Sequence, residues 1–204
     1  MAGALRGRKL SCSIGADLRP TPQMVREALF SILGNAVPDR PFFDIFAGTG
    51  INGLEALSRG ASAAVFVERD FRLANEIEQH LRAFKMAPKA RVLRTDAYRW
   101  AETWQAPSEP VNLFLSPPFA DFQRRLDALL LLVSDLQRKS APASVLVLQS
   151  EKHSALDKLP HQGQWDRRRY GRNELLIWVK ETVATAAGTA GEGPAAAAEE
   201  PTEP

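Results

Sequence analysis

The chain of 204 residues contains 45% hydrophobic residues, which is enough for one domain of ordinary size with a full core. Its single cysteine excludes an internal disulfide, and its three scattered histidines lack the ligand spacing of a zinc site, so no metal is implied. The apolar runs are too short to span a bilayer and the N-terminus lacks a secretory signal, so we expect a cytoplasmic protein, with a basic organelle transit segment as the alternative.

Charged residues are unevenly distributed along the chain. Five of the 24 acidic residues follow Lys180 and no Lys or Arg does, so the segment through Lys180 carries 26 basic and 19 acidic side chains, a surplus of seven. This surplus favours a polyanionic partner, although a solvated basic surface is nearly as common. Clustering near both ends favours nucleic acid. The candidate contacts are Arg6, Arg8, Lys9 and Arg19 near the start and Arg167, Arg168, Arg169 and Arg172 near the end.

Three segments of different composition are predicted along the chain. Residues 1–20 form a basic arm with little periodicity, residues 21–181 form a globular domain, and residues 182–204 form a disordered tail. Ala, Gly, Thr, Pro and Glu dominate the tail, which has no aromatic residue and cannot bury enough surface to offset its ordering entropy.

A helix is predicted to follow the arm. Thr21 is a good N-cap and Pro22 a good first helical residue, while Gly34 ends the helical pattern. The apolar stripe of this helix comprises Val25, Ala28, Leu29, Ile32 and Leu33.

The next segment, Phe42–Leu57, combines a short apolar strand, three glycines and an amphipathic helix in the sequence FFDIFAGTGINGLEAL. Gly48, Gly50 and Gly53 form a G-x-G-x-x-G pattern, which indicates a tight turn whose bare backbone a nucleotide cofactor can approach. The following apolar run ends at Glu68, 18 residues beyond Gly50, where an acid can bind two ribose hydroxyls. Alternatively, the glycines serve only a tight connection between strand and helix.

Asp44 indicates which ribose-bearing cofactor is bound. An acid just ahead of the glycines would repel a pyrophosphate, whereas it would attract an ammonium group. This favours S-adenosylmethionine, which carries an ammonium and a sulfonium, over a dinucleotide. The alternative is that Asp44 only caps the turn.

Alternating strands and helices continue from this segment to residue 149. Asp70 is predicted to cap the helix after the second strand, and one long helix is predicted over roughly residues 121–138. Such alternation is typical of a parallel sheet with helices on both faces and ligands at the carboxyl ends of its strands. Two strand-like runs, residues 164–170 and 174–180, then predict a terminal antiparallel hairpin.

Ser116, Pro117, Pro118 and Phe119 directly follow the fourth predicted strand. The prolines lack ladder donors and fix the backbone, so these four residues form a rigid shelf where a parallel sheet places its ligands. Phe119 can stack a planar substrate such as a nucleobase, while Ser116 and the carbonyl of Pro117 offer acceptors to its edge. From spacing alone, it is equally plausible that the prolines only end the strand and Phe119 belongs to the core.

The order of several motifs resembles one enzyme family. The chain contains, in this order, LRPTPQMVREALFSIL, DIFAGTGINGLEALSRGA, the strand ending in Glu68 and the Pro-Pro-Phe shelf. These segments resemble those of the RsmD-type bacterial 16S rRNA (guanine-N2)-methyltransferases. RGRKL at Arg6–Leu10 and QSE at Gln149–Glu151 extend the resemblance to nearly everything except the tail. It implies an α/β, Rossmann-like methyltransferase fold with a mostly parallel seven-stranded sheet and a C-terminal antiparallel hairpin. It also implies S-adenosyl-L-methionine as cofactor and, as partner, 16S rRNA in an assembling 30S particle, with the protein acting as a monomer.

The resemblance also assigns the site residues. It implies that the methionine part of the cofactor lies against Asp44, Phe46, Ala47, Gly48, Thr49 and Gly50. The ribose is assigned to Glu68, the adenine edge to Asp96 and Ala97, and the target base to Ser116, Pro117, Pro118 and Phe119. Arg69, which follows Glu68, is a further candidate contact of the cofactor.

Ser116 departs from the family pattern, in which the shelf begins with Asp or Asn. A hydroxyl reaches less far and carries no charge, so it stabilises an ammonium-like transition state less well.

The leading hypothesis is methyl transfer to a guanine N2 in small-subunit rRNA. The alternatives are an RNA-binding protein that has lost turnover through Ser116 and a nicotinamide-dependent oxidoreductase, against which Asp44 and the shelf argue.

Overall fold

One sheet organises the residues that the structure describes. It is a computed structural model, and it describes residues 1–8, 21–151 and 158–182. The predicted tail therefore lies outside the described residues from residue 183 onward. The strands of the sheet are β1 (Phe42–Ile45), β2 (Ala64–Val67), β3 (Ala90–Leu93), β4 (Asn112–Leu115), β5 (Val145–Glu151), β6 (Asp166–Tyr170) and β7 (Asn173–Val179).

The strands are ordered β3-β2-β1-β4-β5-β7-β6, and the first five are parallel. β7 pairs antiparallel with both β5 and β6, and a turn of Gly171 and Arg172 closes the hairpin. Gly171 has φ +61°, a conformation that suits glycine. The predicted mostly parallel seven-stranded sheet with its terminal hairpin is thereby confirmed.

Helices cover both faces of the sheet. They are α1 (Gln23–Leu33), α2 (Ile51–Ser58), α3 (Phe71–Ala83), α4 (Ala97–Thr103), α5 (Asp121–Arg124) and α6 (Leu126–Lys139). Within the described ranges, no helix is long and apolar enough to cross a membrane.

Alternate side chains of the central strands enter different apolar clusters, because successive strand residues point to opposite faces. Leu113, Leu115 and Leu146 pack with residues of α4 and α6 on one face, which we call the α6 face. Phe114 and Val147 pack with residues of α1 on the other, which we call the α1 face. Since these central strands are buried on both faces, they can expose functional groups only at their ends.

The predicted N-cap of α1 is wrong. The helix begins at Gln23 with Pro22 as its N-cap, and no side chain caps it. The Thr21 hydroxyl instead donates to Gln149 Oε1 and accepts from Asn52 Nδ2, both at 3.1 Å. Buried long-range partners therefore replace the local backbone partner that helix capping would have supplied.

The long helix predicted over residues 121–138 is divided in two. Arg125 separates α5 from α6, with φ −134° in place of a helical value. Its guanidinium lies 3.9 Å from the centroid of the Tyr98 ring, a cation–π distance. A tertiary contact thus accompanies a break that helical periodicity does not reveal.

The first eight residues pack against α2, although we expected them to be part of an arm. The backbone N–H of Ala2 donates to both carboxylate oxygens of Glu55, at 3.0 and 3.2 Å, and that of Leu5 donates to Ser58 Oγ at 2.7 Å. Gly3 has φ +66°, and a Cβ there would lie 2.0 Å from the Ser58 carbonyl oxygen. This close approach requires glycine.

Candidate active site

The glycine turn between β1 and α2 carries the first part of the site. Phe46, Gly48 and Gly50 have φ values of +63°, +55° and +72°, so alternate residues of the turn have a left-handed backbone conformation. The Gly50 N–H donates to the Ala47 carbonyl at 2.8 Å, and Gly50 is the N-cap of α2. Ala47 and Thr49 are buried. The turn thereby leads directly into the positive end of a helix.

Asp44 lies under this turn and is fully buried. Its Oδ2 accepts a hydrogen bond from the Gly53 N–H at 2.9 Å, while its Oδ1 has no partner among the described residues. Burial raises the pKa of Asp44 from 3.8 to about 7, against the lowering effect of the Gly53 hydrogen bond. One oxygen therefore fastens β1 to α2, a role close to the capping alternative.

Glu68 fastens the turn from the end of β2. Its Oε2 accepts from the Gly48 N–H at 2.7 Å and its Oε1 from the Asp70 N–H at 2.8 Å. Burial is the main cause that raises the pKa of Glu68. Each oxygen retains a lone pair, so the carboxylate can still accept from ribose hydroxyls. The next helix begins as predicted, because Asp70 caps α3 by accepting from the N–H groups of Arg72 and Leu73.

Asp96 begins the third part of the site, at the end of β3. Its Oδ1 accepts from the Tyr98 N–H at 2.9 Å, which makes it the N-cap of α4, and Ala97 is buried as the first residue of that helix. Its Oδ2 faces the guanidinium groups of Arg125, at 3.6 Å, and Arg69, at 3.9 Å. Asp96 is thus already engaged in capping and ion pairing, and its expected contact with adenine stays a prediction.

The shelf lies beside the glycine turn because β4 pairs with β1. The Ser116 N–H donates to the Ile45 carbonyl at 3.1 Å, which continues the β1–β4 pairing to the first shelf residue. Pro117 is buried, Pro118 is exposed, and Phe119 is partly buried against the α6-face cluster. This contact agrees with the alternative that Phe119 belongs to the core, and stacking of a base on its ring stays a prediction.

The hydroxyl of Ser116 makes no hydrogen bond to any described residue, and its side chain is partly accessible. Its neighbour on β5 follows from the register, which pairs Leu115 with Leu148 and so sets Ser116 opposite Gln149. A free hydroxyl at this position can accept from, or donate to, a bound substrate.

Sequence reasoning missed a polar group beside the turn, on α4, α5 and the residue between α5 and α6. The Tyr98 hydroxyl donates to Asp121 Oδ2 at 2.7 Å, and the Tyr98 ring lies edge-on to Phe46 with 5.5 Å between ring centroids. Burial and the carboxylate of Asp121 raise the pKa of Tyr98 well above its ordinary value. Only the aromatic content of α4 hinted at this contact, because Asp121 is distant in sequence.

Two of the predicted RNA contacts, Lys9 and Arg19, lie outside the described residues. Arg6 and Arg8 are exposed on the segment that packs against Glu55 and Ser58, near the end of α2. The cofactor turn precedes the start of that helix. Their position therefore separates them from the turn by the length of α2.

The four arginines near the hairpin differ from one another. Arg168 pairs with Asp166 and Arg169 with Glu174, each at 2.8 Å. Arg167 and Arg172 are exposed and form no ion pair with another described residue. β6 is an edge strand, so Arg167, Arg168 and Arg169 line one margin of the sheet, with successive side chains on opposite faces, and Arg172 lies in the turn that follows.

The site residues fit a cofactor with a ribose and a cationic amino-acid end. Two acids, Asp44 and Glu68, flank a bare glycine backbone, and the shelf that follows β4 stands beside it. A parallel sheet with this turn after β1, this acid after β2 and this shelf after β4 defines the fold class of S-adenosylmethionine-dependent methyltransferases.

The family model described as "Conserved hypothetical protein 95" matches residues 1–179, and the chain belongs to this family. The predicted membership of the RsmD family is confirmed.

Two relatives carry the name ribosomal RNA small subunit methyltransferase D. The Escherichia coli K12 protein is 39% identical over 119 residues, which cover 58% of this chain and 59% of that protein. The Haemophilus influenzae protein is 33% identical over 157 residues, which cover 76% of this chain and 80% of that protein.

Solved structures show the same architecture. The Escherichia coli protein yhhF superposes with a TM-score of 0.72 at 29% identity, over 89% of this chain and 96% of that one. The Thermus thermophilus 16S rRNA N2 G1207 methyltransferase RsmC, solved with AdoMet and guanosine, gives a TM-score of 0.66 at 23% identity, over 81% of this chain and 44% of that one. The second likeness concerns the fold alone.

Proposed function

We propose that this protein transfers a methyl group from S-adenosylmethionine to the exocyclic N2 of a guanine in 16S rRNA. The observation that carries the proposal is the adjacency of the glycine turn and the shelf, through the hydrogen bond from the Ser116 N–H to the Ile45 carbonyl. Family membership supports the reaction, since two relatives are named as small-subunit rRNA methyltransferases.

The cofactor would lie across the carboxyl ends of β1, β2 and β3. In this proposal, Glu68 accepts from the ribose hydroxyls, Asp96 and Ala97 line the adenine edge, and the turn residues 46–50 contact the methionine part. When bound, S-adenosylmethionine supplies an electrophilic methyl group. The task of the chain is then to orient the base in line with that methyl group.

The shelf would bind the base. Phe119 stacks it, and Ser116 Oγ and the Pro117 carbonyl accept from the exocyclic amine. That amine is a poor nucleophile because its lone pair is delocalised into the ring, so hydrogen bonds that strengthen as positive charge develops would lower the barrier. Direct displacement needs no covalent intermediate, and the proton lost from the amine passes to solvent.

The RNA backbone would contact exposed arginines at the margin of the sheet. Arg167 and Arg172 are the best placed, because no ion pair with another described residue competes for them. We propose a monomer that acts without a metal on 16S rRNA in an assembling 30S particle. The Thermus enzyme named for N2 of G1207 shares this fold, which supports the choice of atom only as an analogy.

One observation favours a second candidate function. Ser116 offers a neutral hydroxyl where the family pattern has an acid or amide, and a protein that binds RNA and cofactor without turnover would tolerate that change. The two functions share every binding contact and differ only in whether a methyl group is transferred.

Incubation of the full chain with labelled S-adenosylmethionine and 30S particles from a strain that lacks the modification separates them. We expect label in 16S rRNA, and none in 50S particles treated in parallel. Binding of S-adenosylhomocysteine without label in the RNA would favour the second function. Absence of S-adenosylhomocysteine binding would overturn the cofactor assignment itself.

A further inference from the structure

The threonine of LRPT and the glutamine of QSE lie outside the glycine turn and the shelf, and both belong to one buried hydrogen-bond network. Thr21, Asn52 and Gln149 are 7%, 3% and 3% exposed. Asn52 Nδ2 donates to Thr21 Oγ1, Thr21 Oγ1 donates to Gln149 Oε1, and Gln149 Nε2 donates to Asn173 Oδ1, each at 3.1 Å. The network joins α2, the start of α1, β5 and the hairpin.

In this network each residue donates to the next, and the order of donation shows which amide atom is left without a partner. The Nε2 of Gln149 donates to Asn173, so the Oε1 of Gln149 faces Thr21. The Thr21 hydroxyl donates its proton to that Oε1, so a lone pair of Thr21 Oγ1 accepts from the Nδ2 of Asn52. The remaining atom is Asn52 Oδ1, an acceptor that is buried and has no partner among the described residues. A buried acceptor without a partner is costly unless a ligand or water satisfies it.

Asn52 lies at the start of the helix that follows the glycine turn, against which the proposed function sets the amino-acid end of the cofactor. It is the second residue of α2, two positions after Gly50, the N-cap supplied by the glycine turn. Asp44, to which the sequence analysis assigns the ammonium, is fully buried and accepts from the Gly53 N–H through Oδ2, while its Oδ1, like Asn52 Oδ1, has no partner among the described residues. Asn52 Oδ1 thus adds a second unpartnered acceptor in the first turn of α2, next to Gly53, whose N–H donates to Asp44.

We propose that Asn52 is a cofactor-binding residue whose Oδ1 accepts a hydrogen bond from the ammonium of S-adenosylmethionine, with Thr21 and Gln149 as positioning residues that hold its amide in this orientation. The inference rests on the proposed function, because it presupposes that this cofactor binds. An amide oxygen suits an ammonium, which has three N–H donors and no acceptor.

A second buried asparagine shows that an unpartnered oxygen is not sufficient for this role. Asn112 is 1% exposed, its Nδ2 donates to the Ala36 carbonyl at 2.6 Å, and its Oδ1 also lacks a partner. It is the first residue of β4, at the amino end of the sheet and away from the glycine turn. Asn112 therefore provides a matched control with equal chemistry and burial at the wrong end of the sheet.

The test compares two ligands by calorimetry on the full chain. S-adenosylhomocysteine has the amino-acid end, whereas 5′-methylthioadenosine lacks it. We expect Asn52→Leu to lower the affinity for S-adenosylhomocysteine at least 10-fold, while its affinity for methylthioadenosine stays within twofold of the parent's. Asn112→Leu should leave both affinities within twofold. Thr21→Val keeps the size of the side chain but removes the hydroxyl that holds the Asn52 amide, so it should weaken binding of S-adenosylhomocysteine more than binding of methylthioadenosine.

The outcomes distinguish this inference from the proposed function. A parent protein that fails to bind S-adenosylhomocysteine overturns the proposed function. A parent that binds it, with Asn52→Leu binding equally well or losing both ligands in equal proportion, overturns the role of Asn52. Should Asn52→Leu fail to fold, Thr21→Val decides, because unchanged binding of S-adenosylhomocysteine, or an equal loss of both ligands, would contradict the proposal.

Discussion

The glycine turn and the shelf stand side by side at the same end of the sheet, yet they are held in different ways. Side-chain carboxylates fasten the turn, since Asp44 accepts from the Gly53 N–H and Glu68 accepts from the Gly48 N–H. Backbone hydrogen bonds hold the shelf, since the Ser116 N–H donates to the Ile45 carbonyl and the Asp121 N–H donates to the Pro118 carbonyl. Among the described residues, no side-chain hydrogen bond involves Ser116.

This difference predicts what a substitution can damage in each region. In the turn, a change removes a partner of a backbone group and so affects stability and cofactor affinity together. On the shelf, a change of the Ser116 side chain leaves the backbone hydrogen bonds intact, so it affects only the rate of methyl transfer.

Gly53→Ala is expected to destabilise the fold by about 3 kcal/mol or more, the upper end of the cost of overpacking a rigid core. A Cβ at Gly53 would lie 2.2 Å from Cε1 of Phe66, a buried ring that cannot move aside cheaply. Gly163→Ala is the control, since nothing lies within 4 Å of a Cβ there. Urea unfolding of both variants measures the effect, and equal stabilities would show that the turn is not tightly packed.

Asp44 is expected to make stability depend on pH. Its pKa is 3.8 when unfolded and about 7 when folded, so between these values unfolding releases a proton. Stability should therefore fall as pH rises from about 4 to 7, by up to roughly 4 kcal/mol, and then level off. Asp44→Asn should flatten this part of the profile. An unchanged slope in the variant would assign the pH dependence to other groups.

Ser116→Asp is expected to raise the single-turnover rate of methyl transfer by about 10-fold to 1000-fold, the effect of one preorganised electrostatic group. An anionic acceptor would then face the amine as it gains positive charge. Affinity for S-adenosylhomocysteine should barely change, since the residue acts on the transition state. A slower Ser116→Asp variant would mean that serine is adapted to this site and that its hydroxyl is no handicap.

Glu68→Ala is expected to weaken binding of S-adenosylhomocysteine by about 1 to 3 kcal/mol, the scale of a lost charged hydrogen-bonding partner. Because Glu68 also accepts from the Gly48 and Asp70 N–H groups, some stability should be lost as well. Calorimetry and urea unfolding on the same preparation measure the two effects. A folded variant with the parent's dissociation constant would remove the ribose assignment.

The arginines of the hairpin are expected to affect RNA binding alone. Reversing Arg167 and Arg172 to Glu should lower RNA affinity about 3-fold to 10-fold and reduce the salt slope by about 1 to 2. Arg82→Glu with Arg91→Glu is the charge-matched control, since these exposed residues lie toward the opposite margin, on α3 and β3. Equal losses in the two double variants would indicate a general effect of net charge.

Local chemistry explains which features the sequence could predict. Asp70 caps α3 as expected because its carboxylate reaches N–H groups only two and three residues away. The hairpin is likewise set by a short turn. Thr21 was wrongly predicted as a cap because its hydroxyl bonds to Asn52 and Gln149, which are 31 and 128 residues away. No short-range pattern contains that information.

The same limit applies to the candidate site. The turn, Glu68 and the shelf belong to patterns of a few residues each, so their positions at one end of the sheet followed from the parallel order of the strands. Asn52 could not be recognised in this way. Its significance comes from a network that is assembled only when α1, α2 and β5 pack together.

Nucleoside analysis of the modified RNA tests the central claim most directly. After single turnover on 30S particles with labelled S-adenosylmethionine, the 16S rRNA is digested to nucleosides and the labelled product is identified. A turn and shelf that act together as proposed should yield N2-methylguanosine, and Phe119→Ala should reduce its yield without changing S-adenosylhomocysteine affinity. Label in any other nucleoside, or no label from a protein that binds both S-adenosylhomocysteine and 30S particles, would contradict the proposal.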